Sequence, residues 1–374
     1  MIVIVAISVM LFMAMFSART LFGKDKYIKI GLLFFSLMML ALVARISIAL
    51  LGYYQLLTVV AWIGYIAIGV VSILFCAAVL KLIINTSGYA FGKTSTKFSP
   101  SRRKFLTNTA GSAMSLAVLP MSGYGVYKAV GEPVIKEVTV KRKNTPKGLK
   151  GLKIVQLSDI HVGLTIGSGT VRNIVSKANS LEADIIVITG DLVDGSADFI
   201  SEYIEPLKDL RAKHGVYFVT GNHEYYSGAE SWIDRVTELG IKVLDNSNDV
   251  IEHNGAKLLM AGIPDIESSK FGFGKYSPEK AKVTTEDYDF SVILSHRPEI
   301  AREIAKHGYD LQLSGHTHGG QYFPWTIVIY LFHEFVKGLH KVEGMHLYVS
   351  QGTAYWGPPL RIGAESEISV IELA

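Results

Sequence analysis

The chain has 374 residues, of which 49% are hydrophobic, with a formal net charge of +4 and one cysteine, Cys76. This length allows a membrane region and one soluble domain of about 225 residues. The mild charge argues against nucleic acid as a primary partner, and a single cysteine excludes a disulfide framework.

Residues 1–126 are predicted to form a membrane region. Three apolar stretches, roughly 1–22, 29–51 and 57–84, each come near the ~20 residues that a helix needs to cross a bilayer. Lysines follow the first and third stretches, whereas the connection around Gly52 has none. Because positively charged loops stay in the cytoplasm, the amino terminus is expected outside and the third span is expected to end inside. The prediction is a multi-pass protein of the cell membrane.

A fourth stretch, about 105–126, is smaller in its side chains and only moderately apolar. It follows Ser101-Arg-Arg-Lys-Phe-Leu106, which resembles a twin-arginine export signal placed internally. Three interpretations remain open: passage through the twin-arginine export machinery, a simple anchor helix with its positive end inside, or a segment lying flat on the membrane. The first two put the rest of the chain on the extracytoplasmic side, and the third keeps it in the cytoplasm. Whether this stretch spans the membrane or is cleaved also stays open.

A polar segment with turn-forming residues, 127–150, is predicted to link the membrane region to a domain at 151–374. Within it, Val134–Val140 alternates apolar and charged residues, which favours an edge strand. About eight strands are expected in the domain, interspersed with helical stretches such as 170–181 and 298–307.

Five short apolar runs in this domain are typical of buried strands of an α/β sheet, and each leads into side chains that can bind metals. The runs are Lys153–Ser158, Asp184–Thr189, Val216–Thr220, Ser291–Leu294 and Leu311–Ser314, followed in turn by Asp159-Ile-His161, Gly190-Asp191-Leu-Val-Asp194, Gly221-Asn222-His223-Glu224, His296 and Gly315-His316-Thr-His318. In such sheets ligands gather at the carboxyl ends of the strands, so the five segments predict one site.

The residue types at these five strand ends indicate hydrolytic rather than structural metal chemistry. Carboxylate and amide oxygens suit hard divalent ions, imidazole suits borderline ions such as Mn, Fe and Zn, and no cysteine is among them. Two ions about 3.5–4 Å apart can share a hydroxide, lower its pKa and clamp phosphate oxygens as charge builds up. The set therefore predicts cleavage of a phosphoester by a two-metal centre.

The sequences of these segments resemble those of the calcineurin-like metallophosphoesterase superfamily, and the resemblance covers about residues 150–374. Leu-Ser-Asp-Ile-His-Val-Gly, Gly-His-Thr-His-Gly-Gly-Gln and the tail from Pro358-Pro-Leu-Arg361 to Glu367-Ile368 look like its membrane-anchored bacterial branch. The resemblance implies an α/β fold of two packed sheets flanked by helices, preceded here by an all-α transmembrane region.

The resemblance also implies site roles. One divalent ion would be held by Asp159, His161 and His318, the other by Asn222, His296 and His316, with Asp191 bridging both and His223 donating a proton to the leaving group. Asp194 is expected to orient neighbouring groups and Glu224 to hold its loop. Arg361 is expected either to pair with an acidic residue or to contact phosphate. Six histidines outside the segments are expected at the surface or in packing: His214, His253, His307, His333, His340 and His346.

The apolar segment Tyr322–Phe332 follows the last metal-binding segment directly. It is either a buried strand or helix of the core, or a hairpin-like flap that rests on lipid through Trp325 and its neighbours and admits an acylated or polyprenyl substrate sideways.

The function that these observations favour is a membrane-anchored, binuclear metal-dependent hydrolase of a phosphodiester or pyrophosphate bond in a lipid or envelope precursor. Hydrolysis of UDP-diacylglucosamine pyrophosphate in lipid A assembly is one case, although that substrate is made in the cytoplasm. The enzyme alternative is a broad-range scavenging phosphodiesterase. The non-enzyme alternative is a metal-bearing scaffold that binds proteins, but such scaffolds characteristically lose the residues that stand here as His223 and Asp191.

Overall fold

A computed structural model describes residues 2–51, 55–92, 100–142 and 145–374. The chain divides into two compact units. The N-terminal unit comprises Met1–Tyr127 and Gly357–Leu360, and the C-terminal unit comprises Lys128–Trp356 and Arg361–Ala374.

Four long helices make up the N-terminal unit: α1 (Ile2–Phe22), α2 (Tyr27–Leu51), α3 (Gln55–Gly92) and α4 (Pro100–Val130). Stretches of the first three, Ile4–Phe22, Tyr27–Ile48 and Leu56–Thr86, are long and apolar enough to cross a membrane. The three spans predicted from sequence are therefore confirmed as candidate membrane helices.

The helices α2 and α3 approach each other closely at one pair of small residues. A Cβ added to Gly64 would collide with the backbone and side chain of Ala41. Small residues at such crossings let membrane helices pack by close backbone contact. Nearby, Ala14, Met38 and Val71 form a buried cluster that joins all three helices.

The fourth stretch of the membrane prediction, 105–126, lies within the continuous helix α4, which contains Pro120. Among the described residues α4 is not one of the candidate spans. The loop around Gly52 and two of the lysines used for the orientation prediction, Lys93 and Lys97, lie outside the described residues. Orientation therefore stays a prediction.

Two six-stranded sheets form the framework of the C-terminal unit, which confirms the predicted fold class. The first has the order β1-β12-β2-β3-β4-β5 and the second the order β10-β11-β9-β8-β7-β6. The strands are β1 (Val134–Val140), β2 (Lys153–Leu157), β3 (Ile185–Thr189), β4 (Val216–Val219), β5 (Lys242–Val243), β6 (Ser247–His253), β7 (Ala256–Gly262), β8 (Phe290–Leu294), β9 (Leu311–Ser314), β10 (Gly338–Val342), β11 (Met345–Val349) and β12 (Glu367–Leu373).

Parallel pairing places the strand ends needed for a site at one edge of each sheet. In the first sheet β2, β3, β4 and β5 are parallel neighbours, and in the second β7, β8, β9 and β11 are. Side chains from both sheets share one buried core, including Ile154, Val187, Leu258 and Val292. All five predicted strands are present, and the strand predicted at 134–140 is an edge strand paired in parallel with β12.

The described part of the C-terminal unit has more strands than the eight or so expected, because short strands such as β5 lack a distinct periodic pattern. Its helices are α5 (Ser168–Asn179), α6 (Ala197–Ile200), α7 (Asn222–Ser227), α8 (Ala229–Glu238), α9 (Pro278–Lys282), α10 (Ala301–Ala305) and α11 (Trp325–Val328), with 3-10 turns at Lys147–Leu149, Ser201–Asp209, Ser268–Phe271, Pro298–Ile300, His318–Gly320 and Ile329–Leu331.

Candidate metal centre

The predicted ligand segments sit directly after β2, β3, β4, β8 and β9, and five of their residues have left-handed backbone conformations. The φ angles are 54° for Asp159, 52° for His161, 50° for Asp191, 73° for His316 and 50° for His318. Positive φ is uncommon for residues other than glycine and costs free energy. Its repetition at the ends of strands in both sheets indicates that the fold holds these side chains in one required arrangement.

One group of ligand atoms is formed by Asp159, His161 and His318, all of them buried. The Nε2 atoms of His161 and His318 lie 3.0 Å apart, and Nε2 of His318 lies 3.4 Å from Oδ1 of Asp159. The backbone N–H of His316 donates to both Asp159 oxygens, which fixes the carboxylate against the loop after β9.

A second group is formed by Asp191, His296 and His316. Nε2 of His296 lies 3.1 Å from Oδ2 of Asp191 and 3.2 Å from Nδ1 of His316. The same Oδ2 lies 3.9 Å from Nε2 of His161, a member of the first group. Asp191 therefore stands between the two groups, where a shared ligand would stand.

Asn222 adds an observation that points to a cation. Its side chain is buried, and its Oδ1 accepts no hydrogen bond from any described residue. A buried amide oxygen without a donor is costly unless a cation satisfies it. Together with the imidazole nitrogens of His296 and His316, this oxygen fits a donor set for divalent ions.

Two glycines let the ligand loops pack this closely. A Cβ on Gly221 would collide with Oδ1 and the backbone N of Asp191, and a Cβ on Gly315 would collide with Ser158 and the Asp159 carboxylate. The Gly-Asn-His and Gly-His-Thr-His segments therefore need glycine at these positions for steric reasons.

Glu224 holds the loop after β3 and the start of α7 together. It is fully buried, and its Oε2 accepts hydrogen bonds from the backbone N–H groups of Asp191, at 2.9 Å, and Gly221, at 2.6 Å. Its Oε1 accepts from Leu192 at 2.8 Å and Val193 at 3.2 Å. One carboxylate thus fixes the turn after β3 against the start of α7.

His223 stands beside the two groups and contacts Asp194. Its Nδ1 forms a hydrogen bond with Oδ1 of Asp194, and its Nε2 lies 4.0 Å from Oδ2 of Asp191. Asp194 also lies 3.5 Å from Nδ1 of His161. Burial opposes protonation of His223, but the hydrogen bond and charge of Asp194 outweigh it and raise the pKa of His223 to about 9. These contacts place the ring of His223 beside both groups and favour its protonated form.

The titration of the other groups follows from burial and from their neighbours. Burial lowers the pKa values of His316 and His318 well below the usual range, so both rings are neutral near pH 7 and offer nitrogen lone pairs. Burial raises the pKa of Asp159. For Asp191 burial acts in the same direction, but the charge of His296 holds the pKa well below its usual range. Burial opposes protonation of His296, yet Asp191 raises its pKa to about 10.

Arg361 makes its closest polar contacts with the segment that carries His318. It is buried, and its guanidinium donates to the carbonyl oxygen of His318 at 3.0 Å and to that of Ala354, while Nη2 lies 3.1 Å from Nδ1 of His318. No ion pair of Arg361 with an acidic side chain is found among the described residues, but the charges of Asp159 and Glu367 act on its guanidinium. Arg361 therefore contacts both the main chain and the ring nitrogen Nδ1 of His318 and helps to fix the position of this ring.

Three residues near the centre were missed by sequence reasoning. The ring of Tyr226 lies 5.3 Å from that of His223, the ring of Trp356 lies 5.6 Å from it, and the ring of His333 lies 5.9 Å from that of His316. Tyr226 and Trp356 are about half exposed. Of the three, only Tyr226 lies near a predicted ligand segment in the sequence, two residues after Asn-His-Glu, so only its position near the site could have been inferred. The two aromatic rings flank the imidazole of His223 and are open to solvent.

Trp325 begins a short helical segment rather than a hairpin. The segment consists of α11 and the turn Ile329–Leu331, and none of their residues is buried. The interpretation as ordinary core is therefore wrong, because the chain here turns in two short helices with their apolar side chains outward. The backbone of Trp325 packs against Gly320, where a Cβ would collide with it, so the segment is tied to the loop that carries His318.

Comparison with known proteins agrees with this geometry. The family described as Calcineurin-like phosphoesterase matches residues 152–320. A transmembrane protein with metallophosphoesterase domain from Danio rerio is 37% identical over 261 residues, 67% of this chain. An uncharacterized metallophosphoesterase of Helicobacter pylori strain J99 is 35% identical over 298 residues, 79% of each protein. The chain belongs to the calcineurin-like metallophosphoesterase family.

The chain spans 59% of the length of the Danio rerio relative. Among solved structures, a dimetal phosphatase from Danio rerio is similar at 12% identity with a TM-score of 0.33, over 60% of this chain and 100% of that chain. The buried His/Asp groups of the present structure are consistent with a dimetal site.

Proposed function

We propose that this protein is a binuclear metal-dependent phosphoesterase. Asp159, His161 and His318 would hold one ion, Asn222, His296 and His316 the other, and Asp191 would bridge them. The observation that carries the proposal is the position of Asp191 Oδ2, which lies 3.9 Å from a nitrogen of the first group and 3.1 Å from one of the second. Mn, Fe and Zn all suit this mixture of imidazole and carboxylate ligands.

Two ions held by these residues would supply positive charge to phosphate oxygens and would lower the pKa of water. The protein side chains provide the proton transfer and the positioning. His223, protonated under the influence of Asp194, donates a proton to the leaving oxygen. Asp194 accepts the hydrogen bond from Nδ1 of His223, which leaves Nε2, 4.0 Å from Oδ2 of Asp191, as the nitrogen that would donate. Glu224 and Arg361 keep the ligand loops in place.

The proposed substrate is a phosphodiester or pyrophosphate in a lipid or envelope precursor. It is supported by the exposed apolar side chains of the segment that follows the last ligand loop, with 64% exposure for Ile327, 81% for Leu331 and 77% for Phe332. Such a cluster of exposed apolar residues beside a site marks a ligand groove or membrane contact. The bilayer is the occupant that we propose, because the same chain carries three candidate membrane spans.

A broad-range scavenging phosphodiesterase is the second candidate. It is favoured by the half-exposed rings of Tyr226 and Trp356 beside His223, which offer stacking surfaces to many planar leaving groups. The non-enzyme candidate is a metal-bearing scaffold that binds proteins and does not turn over a substrate.

The location that we propose is the extracytoplasmic face of the cell membrane, reached with or without the twin-arginine machinery. It is supported by the distribution of lysine and arginine between the predicted loops.

The test of the proposed function is a hydrolysis screen of the full-length protein in detergent, with Mn, Fe or Zn added, across monoesters, diesters, nucleotide-sugar pyrophosphates and lipid-linked pyrophosphates. We expect metal-dependent turnover with preference for lipid-linked diesters or pyrophosphates. Equal rates on soluble and lipid-linked diesters would favour the scavenging enzyme. Bound metal without turnover on any substrate would favour the scaffold.

A further inference from the structure

A third group of metal-binding side chains lies away from the centre described above. Nε2 of His214 lies 2.9 Å from Nδ1 of His253, and this Nδ1 lies 3.9 Å from Oδ1 of Asp184. One ligand atom from each of the three residues falls within 4.8 Å of the others. Sequence reasoning had assigned both histidines to the surface or to packing.

The group sits at the opposite end of the sheet from the catalytic residues. Asp184 directly precedes β3 and His214 lies two residues before β4, whereas Asp191 and Asn222 follow the carboxyl ends of the same strands. A five-residue strand such as β3 is roughly 16 Å long at about 3.3 Å per residue. The third group therefore lies about one strand length from the catalytic centre and shares no residue with it.

The group also joins the two sheets. Asp184 and His214 lie just before strands β3 and β4 of the first sheet, whereas His253 is the last residue of β6 at the edge of the second. A neighbouring link runs in the same direction, because the hydroxyl of Tyr217 on β4 donates to Asp249 on β6 at 2.8 Å. An ion held by the three residues would fasten the sheets together at this end.

The surrounding backbone positions the three side chains. Oδ2 of Asp184 accepts a hydrogen bond from the N–H of Lys153 at 2.9 Å, whereas Oδ1 is the oxygen nearest to His253. The N–H of His214 donates to the carbonyl oxygen of Asp184 at 2.8 Å. The side chain of His253 is 7% exposed and that of Asp184 is 23% exposed, so the group is fixed on one side and open to water on the other.

We propose that Asp184, His214 and His253 bind one Zn²⁺-class ion that cross-links the two sheets away from the catalytic centre. Two imidazole nitrogens and one carboxylate oxygen are common zinc ligands, and water can complete the coordination in a site with three protein ligands. The competing arrangement is a direct hydrogen bond between the two imidazole rings without an ion. This inference is independent of the proposed function.

The test counts ions in the full-length protein, purified with a tag that contains no histidine. Wild type and variants are incubated with ZnSO₄, dialysed against metal-free buffer and measured by inductively coupled plasma mass spectrometry. We expect His253→Gln to bind one ion fewer than wild type. His307→Gln is the matched control, because His307 is half-buried and belongs to none of the His/Asp groups among the described residues.

A double variant separates this site from the catalytic centre. His161→Gln should lose an ion at the catalytic centre, and His161→Gln combined with His253→Gln should lose one more. The inference is overturned if His253→Gln binds as many ions as wild type, or if the double variant binds as many as His161→Gln alone. Circular dichroism checks folding, and His214→Gln and Asp184→Asn decide the question in the same way if His253→Gln does not fold.

Discussion

The carboxylate of Asp194 forms a hydrogen bond with Nδ1 of His223, while Nε2 of the same ring lies 4.0 Å from Oδ2 of Asp191. The ring is thus held on one side by a residue outside the proposed ligand set and faces the proposed bridging carboxylate on the other. This arrangement separates the role of orienting the proton donor from the role of binding metal, and each can be changed alone.

Asp194→Asn should change the pH dependence of turnover. Asp194 raises the pKa of His223 through its hydrogen bond and charge, so its removal lowers that pKa. A general acid must be protonated, and activity falls as pH rises through its pKa. We therefore expect the alkaline limb of the kcat profile to move to lower pH in Asp194→Asn. An unchanged limb together with lost metal would instead make Asp194 a ligand.

Replacing His223 itself should slow turnover by about 10²–10⁴-fold, the usual contribution of acid catalysis. Metal content should stay near that of wild type, because the proposed ligand sets are complete without His223. Loss of an ion in His223→Gln, measured by mass spectrometry, would reassign His223 as a ligand.

Glu224→Gln should lower both stability and activity. One of its two oxygens would become an NH₂ group facing backbone N–H donors that now find an acceptor. An unsatisfied buried donor costs about 1–3 kcal/mol, and each kcal/mol corresponds to about 2–4 °C in Tm for a domain of this size. Thermal unfolding of the full-length protein measures the loss. Glu230→Gln, at an exposed position of α8, is the control and should leave Tm nearly unchanged.

Replacing Trp325 and Phe332 together with Ser should impair hydrolysis of a lipid-linked substrate and spare a small soluble ester such as bis-nitrophenyl phosphate. Trp325 is 39% exposed and Phe332 77%, so their replacement removes the proposed lipid contact, and the Tm measures any packing that is lost with Trp325. Val283→Ser, 73% exposed in another segment, is the matched control. Equal loss on both substrates with a lower Tm would contradict a lipid-specific role.

The topology can be tested with reporters that are active only outside the cytoplasm. A fusion after Ala374 should be active, and a fusion near Thr94, which lies outside the described residues, should be silent. The reverse result would overturn the predicted orientation. Changing Arg102 and Arg103 to Lys then distinguishes the routes, since twin-arginine export should be blocked and a simple positive anchor should be unaffected.

Sequence alone predicted the parts of this fold that depend on local pattern. Runs such as Ile185–Thr189 are apolar, β-branched and closed by Gly190, so both the strand and the position of Asp191 at its end could be predicted. Glu224 could be assigned to its loop because it follows the Asn-His pair directly.

Contacts that depend on distant parts of the chain could not be predicted in the same way. Arg361 supports His318 from 43 residues away, and Trp356 reaches His223 across an even longer separation. The segment after Tyr322 is apolar without a clear period, so its exposed short helices could not be distinguished from a buried strand. His214 and His253 meet only because β4 and β6 belong to facing sheets.

The most direct test of the two-metal account compares the ion content and activity of Asp191→Asn with those of His161→Gln in the full-length protein. Asp191 lies between both groups, whereas His161 is proposed to bind only the ion held by the first group. The account predicts that Asp191→Asn loses two ions and nearly all activity, that His161→Gln loses one ion and less activity, and that active wild type carries at least two. One ion or none in the active wild type, or an equal loss in the two variants, would contradict it.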